Sequence, residues 1–229
     1  MLSRAYRLSA AAFMLCLSAG CSEILPYRAP VGEPTPRPSG EGWIDLFAEE
    51  NRGAWKNVTN DDQVWEFEGD VLHVIGKPGT QYFAWTQREF GDFELHVEFM
   101  LKKDGANSGV FFRTSPEDPV QKGMEIQVQG DYGNPPSRNG VGSLYDVASP
   151  MFNMLLPNGE WNSYDITCKG SNVVVVMNGW KILDLDLSKM TKPIGKFDTP
   201  LAELPQSGHI ILQDHGDEAW YRNLVVRPL

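Results

Sequence analysis

The hydrophobic residues that follow residue 42 recur in short runs with a period of two. These runs are rich in Val, Ile, Phe, Tyr and Trp and are separated by Gly, Asn, Asp and Pro, which predicts β-strands joined by turns. The predicted strands lie at 64–68, 71–74, 83–86, 93–101, 108–113, 123–129, 161–169, 172–177, 180–186, 209–213 and 220–226. Because no segment keeps a helical period, these strands predict an all-β fold, a two-sheet antiparallel jelly-roll sandwich.

The connections between the predicted strands are of two kinds. Short ones centred on Gly69, Gly170 and the Asn178-Gly179 pair are typical of hairpin turns. Two others, at 131–158 and 189–207, are long and carry little strand signal. Long loops in a small domain are often functional, so we expect these two to wall a groove across one sheet.

The N-terminal 21 residues have the layout of a secretory signal peptide. Arg4 and Arg7 precede a short apolar run, and small residues lead up to Cys21. The stretch LSAGC resembles a bacterial lipobox, although its leucine stands one position further from the cysteine than usual. We predict that residues 1–21 are a lipoprotein signal peptide and that Cys21 is lipidated, which places the chain in the periplasm or on the outer membrane. Plain secretion is the alternative.

Residues 22–40 and 41–229 are predicted to be a tether and one folded domain. The tether contains five prolines and no apolar period. The domain contains a single cysteine, Cys168, so it has no internal disulfide. Loss of the two signal arginines changes the formal charge from -10 to −12. Because the chain has no basic run, nucleic acid is not expected as a partner, and membrane contact is expected through the lipid alone. The sequence leaves the oligomeric state open.

Several predicted strands carry polar side chains opposite their apolar ones. In GMEIQVQ, Glu125 and Gln127 alternate with apolar residues, and in HIILQDH, Gln213 and His215 share a face. If the strands are neighbours, they form a polar platform, and if not, these residues belong to a solvated outer face. The platform residues are Arg113, Glu125, Gln127, Gln213, His215 and Arg222.

Several common hydrolytic chemistries find no support in the sequence. It contains no G-x-S-x-G stretch, which argues against a serine hydrolase. The four histidines lack paired metal-ligand spacing, so no metal site or other cofactor is predicted, although a divalent cation could assist. A glycosidase of the usual kind needs two carboxylates, but Glu125 is followed two residues later by Gln127.

Six stretches together resemble the 3-keto-disaccharide hydrolase family. They are GWIDLFAEENRGAWK, FGDFELHVEFMLKKDGANSGVFFR, KGMEIQVQGD, GSLYD, GEWNSYDITCKGSNVVVVMNG and GHIILQDHGDEAWYRNLVVRP, and the resemblance covers about residues 42–228. It implies a concanavalin A-like jelly roll and a carbohydrate substrate, a glycoside oxidised to a ketone at carbon 3. Such a substrate needs one base for the acidified proton on carbon 2, and donors for the resulting oxyanion.

The resemblance implies roles for the polar platform. His215 or Glu125 is the base, while Arg113 and Arg222 stabilise the oxyanion or orient Glu125. Gln127 and Gln213 bind sugar hydroxyls, and Tyr145 and Asp146 line the groove. The predicted substrate-binding residues are therefore Gln127, Gln213, Tyr145, Asp146 and Arg222.

Two other functions are compatible with the same residues. A lectin-like module would bind glycans without cleaving them, and a structural domain would use the polar groups only for its own fold. An enzyme requires Glu125 and His215 within the width of a sugar, walled by loops. A binder requires an open site with the two residues far apart, and a structural domain requires no polar cluster.

Overall fold

The computed structural model describes residues 27–229, so the predicted signal peptide and its Cys21 lie outside the described residues. The chain forms two antiparallel sheets packed face to face. Its strands are β1 (Ile44–Asp45), β2 (Trp55–Asn57), β3 (Trp65–Glu68), β4 (Val71–Ile75), β5 (Gln81–Phe90), β6 (Phe93–Met100), β7 (Asn107–Thr114), β8 (Met124–Gln129), β9 (Asn162–Lys169), β10 (Asn172–Met177), β11 (Trp180–Asp186), β12 (Gly208–Asp214) and β13 (Glu218–Pro228).

The two sheets differ in size. The larger sheet has eight strands in the order β11-β10-β9-β6-β13-β4-β3, with β1 also paired to β13. The smaller sheet has five strands in the order β2-β5-β12-β7-β8. Three short 3-10 turns, Glu49–Ala54, Leu187–Lys189 and Leu201–Glu203, are the helical elements of the described residues. No helix there is both long and apolar enough to cross a bilayer.

The predicted all-β sandwich is confirmed. Each predicted strand is present with its bounds shifted by a few residues, because β-branched and aromatic residues fill alternate positions facing the core. The very short β1 and β2 were not predicted, since two or three residues are too few to show an alternation.

The core lies between the sheets and is crossed by two buried hydrogen bonds. The hydroxyl of Tyr164, on β9, donates to the carbonyl of Gln127 on β8 at 2.6 Å. The hydroxyl of Tyr221, on β13, lies 2.7 Å from Oγ of Ser108 on β7. Each phenol therefore satisfies its polar end by tying the larger sheet to the strands of the smaller one.

Residues 27–40, part of the predicted tether, lie along the larger sheet. The backbone N–H of Thr35 donates to Ser163 Oγ at 2.8 Å, and its hydroxyl donates to Asp165 at 2.5 Å. Asp165 in turn contacts Nδ1 of His96 at 2.7 Å. The alternation of β6 would place His96 on the outer face of the sheet, yet the ring is fully buried, because this segment and the side chains beneath it cover it.

Candidate functional site

A cavity of about 170 Å³ opens on the outer face of the five-stranded sheet. Strands β5, β7, β8 and β12 form its floor, and the two long loops supply side chains at its wall. Its lining contains Tyr82, Asn107, Val120, Glu125, Gln127, Tyr145, Lys196, Gln213 and His215. Its volume falls below the range of about 300–1,000 Å³ for pockets that hold drug-sized ligands, which suits a single small ring.

Glu125 lies at the base of this cavity because the alternation of β8 turns it away from the core. Its neighbours Met124 and Ile126 are buried between the sheets. Gly109 on β7, which pairs with Gln127, leaves room for the Glu125 carboxylate, because a methyl group there would come within 2.3 Å of Oε1. Burial raises the pKa of Glu125 to about 7, and the nearby Lys196 partly offsets this effect.

Lys196, from the loop at 189–207, is the cationic partner of Glu125. Its Nζ lies 3.3 Å from Glu125 Oε2, and both side chains are largely buried. The ammonium also lies 5.1 Å from the ring centroid of Phe111 and 5.4 Å from that of Tyr145. Burial lowers the pKa of Lys196, while the charge of Glu125 acts in the opposite direction.

A close contact between the two long loops positions Lys196. The preceding residue, Gly195, has φ of 57°, and a methyl group there would lie 2.1 Å from the carbonyl oxygen of Asp146. Asp146 itself has φ of 60°. Only glycine fits this approach, so Asp146 docks one loop against the other. The prediction that Asp146 lines the groove is therefore wrong, whereas its neighbour Tyr145 does line the cavity.

The two glutamines offer hydrogen bonds to a ligand. With its amide nitrogen turned toward Glu125, Gln127 donates to Oε1 of that residue at 2.9 Å and to the carbonyl of Ser108 at 3.2 Å. Nε2 of Gln213 donates to the hydroxyl oxygen of Tyr82 at 3.4 Å. The Oε1 of Gln213 is buried and has no hydrogen-bond partner among the described residues, so it is available to accept from a ligand hydroxyl.

His215 stands at the rim of the cavity, immediately after β12 ends at Asp214. The imidazole is exposed, whereas Asp214 is fully buried and faces the other way. The Asp214 carboxylate accepts from the backbone N–H groups of Gly76, Lys77 and Gly216 at 2.8–3.0 Å. These three bonds fix the turn that presents His215.

Arg113 does not join this site, and the prediction that it shares a face with Glu125 is wrong. Between His209↔Thr114 and Ile211↔Phe111 the register of β7 shifts by one residue, and Arg113 has φ of 48°. This bulge breaks the alternation and turns the guanidinium away from the cavity. It donates instead to the carbonyls of Gly91 and Gly170 and to Asp92 at 2.7–3.0 Å, which hold it between two turns of the chain.

Arg222 is also misplaced by the prediction, because β13 belongs to the other sheet. Its Nε donates to Glu98 Oε2 at 2.6 Å, and its guanidinium lies 4.1 Å from the ring centroid of Trp161. The adjacent Tyr221 points into the core, so Arg222 points to the outer face of the eight-stranded sheet. That face and the cavity lie on opposite sides of the sandwich.

The cavity thus brings together five of the predicted residues and adds three that the sequence analysis missed. The predicted residues in the cavity are Glu125, Gln127, Gln213, His215 and Tyr145. The polar residues that were not predicted are Lys196, Tyr82 and Asn107. Nothing in the sequence separated Lys196 from the other lysines of its loop, apart from the glycine before it. Among the described residues that line the cavity, Glu125 supplies the one carboxylate and His215 supplies the one imidazole.

Comparisons with known proteins agree with this architecture. A 3-keto-disaccharide hydrolase of Bacteroides thetaiotaomicron is 27% identical over 82% of this chain and 79% of that protein. The crystal structure of a candidate glycosyl hydrolase from Parabacteroides distasonis has 29% identity and a TM-score of 0.71, covering 82% of this chain and 99% of the other. A Bacillus subtilis protein of unknown function with a galectin-like fold has a TM-score of 0.54, at 14% identity over 88% and 97% of the two chains, and supports the fold alone.

The match at the level of the family spans most of the described chain. Residues 42–227 match the profile of the 3-keto-alpha-glucoside-1,2-lyase-like domain. This range includes every strand that forms the floor of the cavity, and both loops at its wall. The chain therefore belongs to the 3-keto-alpha-glucoside-1,2-lyase-like domain family.

Proposed function

We propose that this protein cleaves the glycosidic bond of 3-keto-glycosides by elimination followed by addition of water. The names of its relatives support a glycoside hydrolase-like role. The observation that carries the proposal is the buried Glu125–Lys196 pair at the base of a cavity small enough for one sugar ring. A carboxylate with a pKa of about 7 is poised to take a proton from carbon near neutral pH.

In the first step, Glu125 removes the proton from carbon 2 of the sugar. The electrons of the C2–H bond form a C2=C3 double bond, and those of the ketone move onto its oxygen. The negative charge thus leaves Glu125 for the substrate oxygen while Lys196 remains cationic beside both. The ammonium exchanges one anionic partner for another, and such a fixed charge in a dry site stabilises an enediolate strongly.

In the second step, the bond between carbon 1 and the leaving oxygen breaks. The enediolate electrons re-form the ketone and create a C1=C2 double bond, and His215 at the rim protonates the departing oxygen. Addition of water across C1=C2 then gives the free 3-keto sugar. Throughout, Gln213 accepts from a sugar hydroxyl through its free Oε1, and Gln127 and Tyr82 hold the polar edge of the ring.

Substrate discrimination tests this function directly. The protein is incubated with a nitrophenyl 3-keto-glucoside and, as control, with the same glucoside not oxidised at carbon 3. We expect nitrophenol release from the keto substrate alone, because only the ketone acidifies the proton on carbon 2. If neither compound is cleaved while the keto sugar binds, the protein is a lectin-like binder, and the proposal is overturned.

We also propose that the chain is an exported lipoprotein anchored through Cys21. The support is the layout of residues 1–21 and the lipobox-like LSAGC. Labelled palmitate fed to producing cells is expected to enter the wild-type protein and not the Cys21→Ser variant. Equal labelling of both would contradict the anchor.

A further inference from the structure

A cluster of metal-ligating side chains lies at the edge of the eight-stranded sheet, away from the cavity. Glu66 and Glu68 alternate on β3, and Glu66 pairs with His73 on β4. One ligand atom from each of these three residues lies within 4.8 Å of the others. It is the one such group of His, Cys, Asp and Glu residues found among residues 27–229.

The two distances from His73 to the glutamates match those between ligands around one small cation. Nδ1 of His73 lies 3.4 Å from Glu66 Oε1 and 3.3 Å from Glu68 Oε1. Around a tetrahedral metal with bonds of about 2.0–2.2 Å, neighbouring ligand atoms are about 3.3–3.6 Å apart. The same Nδ1 is buried and makes no hydrogen bond with any described residue.

The surroundings of His73 fix its ring for such a role. Nε2 lies 3.0 Å from Glu218 Oε1, and the ring stacks on Trp220 with 4.7 Å between centroids and an interplanar angle of 5°. When Nε2–H donates to Glu218, the neutral tautomer directs the Nδ1 lone pair toward Glu66 and Glu68. A carboxylate behind the ligating imidazole is the usual arrangement at metal sites.

We propose that Glu66, Glu68 and His73 bind a divalent transition metal of the Zn²⁺ type, with Glu218 as the orienting group. One imidazole nitrogen and two carboxylate oxygens suit Zn²⁺, Mn²⁺ or Co²⁺ better than Mg²⁺ or Ca²⁺, which prefer oxygen alone. Because β3 is the outermost strand of its sheet, the metal would stabilise its pairing with β4. The proposal is independent of the proposed catalytic function.

The competing arrangement is a protonated His73 that only forms ion pairs with the three glutamates. Calorimetric titration of the untagged, chelator-treated protein with Zn²⁺ separates the two, and Co²⁺ absorption reports on the coordination geometry. We expect one Zn²⁺ per chain, the intense visible bands of tetrahedral Co²⁺, and a rise in thermal midpoint with Zn²⁺ but not with Mg²⁺.

Variants locate the metal. We expect His73→Gln to abolish both Zn²⁺ binding and the Co²⁺ bands, and Glu68→Gln to weaken Zn²⁺ binding at least tenfold. Glu218→Gln is expected to weaken binding about 10–100-fold, the range typical of an outer partner. Glu160→Gln, an exposed charge control, and Glu125→Gln, in the cavity, should bind as the wild type does. Zn²⁺ binding that survives in His73→Gln and Glu68→Gln, or no stoichiometric binding at all, would overturn the proposal.

Discussion

Lys196 Nζ lies 3.3 Å from Glu125 Oε2 inside a wall built by two loops that are distant in the sequence. The pair is buried on one face of the five-stranded sheet, beside a cavity of about 170 Å³. Burial raises the pKa of Glu125 and lowers that of Lys196, so the carboxylate is more basic than an exposed one. This relationship leads to the following expectations.

Loss of the base should stop turnover without unfolding the domain. Because general-base catalysis contributes about 10²–10⁴-fold, we expect Glu125→Gln to reduce kcat/KM toward a 3-keto-glucoside by that range. Circular dichroism checks the fold, and exposed Glu203→Gln is the matched control with wild-type rates. If the kcat/KM of Glu125→Gln lies within threefold of the wild-type value, Glu125 is not the base of the mechanism.

The pH profile of kcat/KM should have an acid limb set by Glu125. Activity rises as pH passes about 7, because the carboxylate must be ionised to act as base. Lys196 lowers the pKa of Glu125, so Lys196→Met should move this limb to higher pH and also reduce the maximum rate. A limb that stays in place in Lys196→Met contradicts the pairing of the two groups.

The pH dependence of the unfolding free energy should also show the effect of burying Glu125. The pKa of Glu125 is about 7 in the folded chain against an ordinary value of 4.5, so the folded state binds more protons between these pH values. Stability from this group is therefore present below pH 4.5 and lost as pH rises to 7. We expect the unfolding free energy of Glu125→Gln, relative to the wild type, to increase by about 2–3 kcal/mol from pH 4.5 to 8.

Denaturant unfolding at both pH values measures this change. The same comparison for exposed Glu203→Gln shows how much of the change in unfolding free energy comes from the loss of any carboxylate. A wild-type to Glu125→Gln difference that matches the control at both pH values would contradict a raised pKa.

A single methyl group beside Glu125 should damage activity more than stability. Gly109→Ala places a Cβ 2.3 Å from Glu125 Oε1, so the carboxylate must move. We expect about a 10²-fold loss of kcat/KM, since misplacement by 1 Å can cost that much. Gly53→Ala, whose Cβ meets nothing within 4 Å, is the control in the same rate assay. Equal rates for the two variants would argue against a positioned Glu125.

The role of His215 should depend on the leaving group. As the acid at the rim, it is needed for a sugar alkoxide but hardly for nitrophenolate, which leaves without a proton. We expect His215→Ala to lose at least tenfold more rate on a 3-keto-disaccharide than on a nitrophenyl 3-keto-glucoside. An equal loss on both substrates would assign His215 to another step.

The sequence predicts the sandwich and half of the site, and the reasons for its failures are local. Alternation placed Glu125, Gln127 and Gln213 correctly because β8 and this part of β12 are regular. Arg113 was misassigned because a bulge interrupts β7, which shifts the register without any clear residue signal.

Arg222 was misassigned because β13 pairs with β4 and β6 in the other sheet, and a single sequence does not show which distant strands are neighbours. The Glu66–Glu68–His73 cluster was missed for a different reason. The hairpin at Gly69 was predicted, but the ligands come from two paired strands and show no paired histidine spacing. Lys196 was missed because loop-on-loop docking at Gly195 places it.

Deuterium incorporation at carbon 2 tests the central claim most directly. The protein cleaves a 3-keto-glucoside in D₂O, and early product is analysed by mass spectrometry and NMR, with the free 3-keto sugar alone as control for spontaneous exchange. Elimination and hydration require that carbon 2 loses its proton to Glu125, and we expect one deuterium there in each product molecule. Product that keeps its original hydrogen at carbon 2 would show direct displacement at carbon 1 and contradict the mechanism.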